Sequence, residues 1–100
     1  MSAYFIASYR ITDPKGYEPY PAAATATLLA HSFEPIVADY ASQTIEGAPG
    51  DVTVVLKFAS KEAAMAWYNS PEYQAIKHLR TDNSEGSAVV VDQWAAPASK

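Results

Sequence analysis

The sequence has no cysteine, which removes disulfide frameworks and thiolate metal sites and points away from an oxidising compartment. Positive charge is scarce: seven Lys plus Arg against eleven Asp plus Glu give a net charge of -4. A phosphate-backbone partner is therefore not expected, because counterion release needs clustered cations. No apolar run approaches the ~20 residues that span a bilayer, so no membrane partner is expected. The opening MSAYFIASYRI lacks a basic stretch, a long apolar segment and a small-residue cleavage site, and does not read as a signal peptide. These absences together predict a soluble, cytoplasmic chain. Only two histidines, His31 and His78, are present, and neither has a metal-ligand spacing such as HExxH. Neither a metal nor a cofactor is expected.

What is present suits one ordinary domain. A chain of 100 residues buries roughly two-thirds of its unfolded surface, and a single domain is predicted over 1–96, with 97–100 as a loosely held tail. Residues 3–11, AYFIASYRI, are aromatic and β-branched and stop at Thr12-Asp13-Pro14, so they read as a first strand. Pro19 and Pro21 are tolerable only within a helix's first turn, where the N–H groups have no partner. That places a turn at 14–17 and a helix from about Pro19 to His31. Residues 33–40, FEPIVADY, form a second strand with Pro35 near its start. After the turn-rich ASQTIEGAPGD, DVTVVLKF is the plainest strand of the chain. Ser60 is an N-cap candidate, and GSAVVVDQW is the last strand.

The resulting order, strand, helix, strand, strand, helix, strand, is the ferredoxin-like βαββαβ arrangement of the α+β class: a four-stranded antiparallel sheet with two helices on one face. YFIA, VTVVL and AVVV are apolar on both sides of the pleat, which a sheet with one wet face would not need. Two helices cover one face only. The simplest cover for the other is a second copy, and a homodimer with sheets packed face to face is expected. DVTVVLKF lacks the Gly and interleaved aromatics with which such a sheet would stack RNA bases.

Residues 66–80, AWYNSPEYQAIKHLR, interrupt a helix pattern with an unusual cluster. Asn69 tolerates the left-handed conformation that closes a helix; Ser70 then caps a new one, Pro71 takes its first position and Glu72 faces its positive end. Trp67, Tyr68 and Tyr73 are not explained by capping. They either anchor the helix pair on the sheet or line a cleft between helix and sheet. Arg80 either meets the dipole of the last helical turn or clamps a carboxylate ligand. His31 is either a helix-end cation or a lone general base. Arg10 and Lys57, at the ends of strands one and three, could share an anion. No glycines flank a serine as a nucleophile elbow would require.

The run WYNSPEYQAIKHLR, followed by NSEG and an apolar strand, resembles the uncharacterised bacterial family named domain of unknown function 1330, and AYFIASYRITDPKGY is similar to that family's first strand and Asp-Pro turn. HSFEPIVAD and the Pro19/Pro21 pair depart from its pattern. The resemblance implies a dimeric α+β barrel, in a superfamily that includes cofactor-independent monooxygenases, isomerases and haem-degrading enzymes. Two functions follow as expectations: binding of a small, partly apolar organic molecule between helices and sheet at Trp67, Tyr68, Tyr73, Arg80 and His31, with cofactor-independent catalysis; or a non-catalytic dimeric module without such a site.

Overall fold

Alternation of side chains sets the first strand. In β1, Ala3–Ile11, the residues Ala3, Phe5, Ala7 and Tyr9 are buried while Tyr4, Ile6 and Ser8 lie half-buried on the opposite face. The computed structural model describes residues 1–95, so the expected tail at 97–100 lies outside the described residues. Asp13 caps the short helix α1, Pro14–Tyr17, and Pro14 stands in its first turn. Helix α2, Tyr20–Leu28, carries Pro19 at the N-cap and Pro21 in its first turn, as the missing N–H groups require. It stops three residues earlier than His31. There the His31 N–H bonds back to the Leu28 carbonyl in a tight turn that leads the chain away.

Strand β2, Glu34–Asp39, is exposed along its whole length, and β3, Val52–Phe58, buries Val52, Leu56 and Phe58. The second crossover is built of three pieces, α3 at Lys61–Tyr68, α4 at Pro71–Ile76 and α5 at His78–Thr81, before β4 at Ser84–Asp92. Ser60 caps α3 by accepting from the Ala63 N–H at 3.0 Å. Ser70 caps α4 by accepting from the Tyr73 N–H at 3.2 Å, and its own hydroxyl donates to the Trp67 carbonyl at 2.7 Å. The stop and restart is thus real, but Asn69 is not left-handed: its φ of -89° and ψ of 1° place it in the bridge region. With Ser70 supplying the cap and Asn69 N–H still bonded to the Met65 carbonyl, no left-handed residue is needed.

The four antiparallel strands run in the order β2-β3-β1-β4, and the helices cover one face. This is the ferredoxin-like α+β architecture. Antiparallel pairing also corrects the idea of an anion shared by Arg10 and Lys57. Tyr9 pairs with Val52 and Tyr4 with Lys57, so the two cations stand at opposite ends of the sheet, and Arg10 pairs with Glu85 instead. On the bare face, register aligns Val55, Ile6 and Val89 in one row across three strands, flanked by Thr53, Ser8 and Ser87 on one side and Lys57, Tyr4 and Val91 on the other. The Cα atoms span only 16 Å along the shortest axis, the thickness of one sheet and one helix layer.

Two glycines shape the end of the sheet around Tyr9. Gly50 has a φ of +89°, and a Cβ there would stand 2.5 Å from the Tyr9 carbonyl carbon. At Gly86, opposite Tyr9 in β4, a Cβ would come within 2.5 Å of the tyrosine's own Cβ. Gly50 thus lets its loop approach the β1 backbone, and Gly86 leaves room beside the Tyr9 side chain.

Candidate functional site

The covered face holds two aromatic groups. In the first, Trp67 stands edge-on to Phe5 with centroids 5.2 Å apart, stacks on Phe58 at 5.7 Å and meets Tyr73 at 4.3 Å. Its indole N–H donates to the Thr27 hydroxyl at 3.0 Å, and that hydroxyl donates to the Ala24 carbonyl at 2.7 Å, which pins α3 to α2. Trp67 and Tyr73 are 1% and 0% exposed. Tyr68 is half-buried beside them, its ring under the Lys77 ammonium at 5.2 Å.

The second group surrounds a cavity of about 320 Å³ between α2 and the sheet. β1 contributes Phe5, Ala7 and Tyr9, β3 contributes Val54 and Leu56, and α2 contributes Tyr20, Ala24 and Leu28. Tyr17, Phe33, Pro35, Tyr40, Trp67 and Arg80 complete most of the rest. Pro21, Thr25, Pro35 and Tyr40, all exposed, mark the mouth between α2 and β2. The volume falls at the lower end of the range in which small organic ligands are held.

Hydroxyls supply the polar part of the wall. Tyr9 and Tyr17 oxygens lie 2.6 Å apart, and Tyr17 and Tyr40 oxygens 3.1 Å, so a chain of three hydroxyls runs from the core to the surface. A second pair, Tyr20 and Tyr73 at 2.8 Å, meets the Arg80 guanidinium, whose Nη2 donates to the Tyr73 hydroxyl at 3.5 Å. Arg80 sits between the rings of Tyr9 and Tyr20, 5.7 and 6.0 Å from their centroids. Only 6% of it is exposed, and its Nε–H has no acceptor among the described residues. Burial works against the Arg80 charge, but the facing Tyr73 and Tyr20 oxygens outweigh it and hold its pKa above the ordinary arginine value.

Burial, followed by its bonds to Tyr40 and Tyr9, pushes the Tyr17 hydroxyl well above the usual tyrosine range. Burial and then the Tyr73 hydroxyl do the same to Tyr20, and burial raises Tyr9 against the opposing bond from Tyr17. These hydroxyls stay neutral and can donate or accept hydrogen bonds. Among the described residues, no carboxylate, imidazole or thiol lines the cavity, so these walls can orient a molecule and stabilise negative charge but supply no ordinary base. Among the described residues, no three His, Cys, Asp or Glu side chains are placed to hold a metal ion, and no helix is long and apolar enough to cross a membrane.

Of the five residues that the sequence singles out, Trp67 and Arg80 line the cavity. Tyr73 stands behind them and reaches the wall through its bonds to Tyr20 and Arg80. Tyr68 and His31 are half-buried outside it. Sequence reasoning missed Tyr9, Tyr17, Tyr20 and Tyr40. The period-two alternation of β1, which puts Tyr9 on the same face as Phe5, was the available signal for the first of them.

The chain belongs to the family described as Domain of unknown function (DUF1330), whose profile matches residues 2–94. Among curated proteins, none matches it significantly. Several solved structures are similar in fold. A protein of unknown function from Rhodopseudomonas palustris, RPA0582, has a TM-score of 0.75 at 10% identity, with 94% of this chain and 83% of that one covered. A dimeric ferredoxin-like protein of unknown function from Thermobifida fusca gives 0.65 at 18% identity, covering 93% and 92%. SnoaB, a cofactor-independent oxygenase from Streptomyces nogalater, gives 0.61 at 11% identity, covering 97% and 98%. At such identities the likeness concerns the fold alone.

Proposed function

We propose that the chain acts as a cytoplasmic homodimer, paired through the bare sheet faces, and that each copy holds a small, partly apolar organic molecule in the cavity between helices and sheet. The chemistry is cofactor-independent catalysis of the monooxygenase or isomerase type. The observation that carries this reading is the cavity itself: a hollow of about 320 Å³ walled by aromatic and aliphatic side chains onto which four tyrosines and one arginine converge. Its walls bring no base, which fits a reaction whose reactivity resides in the bound molecule. The row Val55, Ile6 and Val89 on an uncovered sheet supports pairing, as does the fold shared with a protein described as dimeric. The fold shared with a cofactor-independent oxygenase is support by analogy for the chemistry.

The complete burial of Trp67 and Tyr73 favours a second reading, a non-catalytic dimeric module. A thermal-shift screen of small apolar metabolites separates the two. Hits on the wild type that disappear in Ala24→Phe, which fills the cavity from α2, support the first reading; a screen without hits supports the second. Sedimentation tests the pairing: a dimer that Ile6→Lys converts to a folded monomer is expected, and a wild-type monomer at micromolar concentration overturns it.

A further inference from the structure

We infer that the molecule held in the cavity is a monoanionic organic acid, an aromatic or fatty carboxylate whose charge pairs with Arg80, an inference that rests on the cavity reading above. Among the described residues, a cation is placed inside the fold without an anion to match. Arg80 is 6% exposed, whereas all eleven Asp and Glu residues are exposed. Both ion pairs among the described residues, Arg10 with Glu85 and Lys61 with Asp92, lie at the surface. Buried charges are ordinarily paired, and a guanidinium has five N–H donors to satisfy. Here one donor reaches Tyr73 at 3.5 Å, an oxygen already engaged with Tyr20, and the Nε–H has no partner at all.

A helix-end cation would not need this placement, since it can meet the last carbonyls from the surface. A residue of packing alone would be better apolar, because an unmatched buried charge weakens a fold. What remains is a charge kept for something that enters. The rings of Tyr9 and Tyr20 lie 5.7 and 6.0 Å from the guanidinium, and its planar fork of donors matches a carboxylate. Among the described residues the lining contains no lysine and no second arginine, so a dianion such as a phosphate monoester would be left half-neutralised. The opposite wall, Leu28, Phe33, Val54 and Leu56, is apolar and calls for a hydrocarbon body on the acid.

The test uses the whole chain and calorimetric titration with benzoate, 2-naphthoate and decanoate, each against its primary amide. At least one acid is expected to bind tenfold or more tightly than its amide. Arg80→Met is expected to erase that preference with the circular dichroism unchanged, Arg80→Lys to keep part of it, and Ala24→Phe to abolish binding of acid and amide alike. Equal affinities for acid and amide overturn the anion while leaving the cavity reading in place. An acid preference that survives in Arg80→Met overturns the assignment to Arg80, and binding that survives in Ala24→Phe overturns the location. If no acid and no amide binds, both this inference and the cavity reading fall. Should Arg80→Met fail to fold, the wild-type ratio and Arg80→Lys decide.

Discussion

Two aromatic groups share one face of the sheet, and they differ in what surrounds them. Around Trp67 the rings of Phe5, Phe58 and Tyr73 close on one another, because α3 lies against strands that present large side chains and α4 packs against α2 and α3. Around Tyr17 and Tyr20 the neighbours are Ala7, Ala24 and an edge strand exposed along its length, too little volume to fill the space beneath α2. The same residue type therefore acts as packing on one side and as wall on the other. Interiors close-pack only where side-chain volume is supplied from both sides. Arg80 lies at the junction, reaching Tyr73 of the first group and lying over the rings of Tyr9 and Tyr20 of the second.

The largest expected effect breaks the packed side. Trp67→Ala should cost about 3–5 kcal/mol in urea unfolding, from the lost indole contacts and the cavity left behind. A cost below about 1 kcal/mol would show that the packed group does not hold α3 to the sheet. Alkaline pH acts on the hollow side. The folded-state pKa values of Tyr9, Tyr17 and Tyr20 lie above their ordinary value of 10.0, so the unfolded chain releases protons first as pH rises past that point. Their stabilising contribution is full below pH 10 and is lost above it, at about 1.4 kcal/mol per pH unit for each tyrosine. Tyrosinate absorbance followed together with circular dichroism checks this: these residues should ionise only as the fold is lost.

Smaller effects sharpen the boundary between the two groups. Ser70→Ala removes the α4 cap and should cost about 1 kcal/mol, read as a shifted denaturation midpoint with an unchanged slope. Arg80→Met sets the removal of a buried cation against the loss of two ring contacts and one long hydrogen bond, contributions of opposite sign, and should change stability by less than about 1 kcal/mol. A larger loss of stability would assign Arg80 to the packed group.

Much of the fold was legible along the chain because its causes are local. Aromatic and β-branched composition marked β1 and β3, the positions of Pro19 and Pro21 marked the start of α2, and Ser60, Ser70 and Pro71 marked helix starts that the hydrogen bonds match. Asn69 shows the limit even there: the residue type permits a left-handed close, but the serine after it made that conformation unnecessary. The site was harder to read. The run from 66 to 80 drew attention by its composition, yet Tyr68 and His31 lie outside the cavity while Tyr9, Tyr17, Tyr20 and Tyr40 line it.

The amino-acid order by itself determined the succession of strands and crossovers, the caps that open α3 and α4, and that only one face of the sheet would be covered by helices. Tertiary structure alone decided that Trp67 is packed, that space remains under α2, and that Arg80 is buried beside it with every carboxylate outside. The physical reason is that capping and alternation act over a few neighbouring residues. A cavity is the volume left over when β1, α2, β2, β3 and α5 meet from distant parts of the chain, and no short stretch contains that sum.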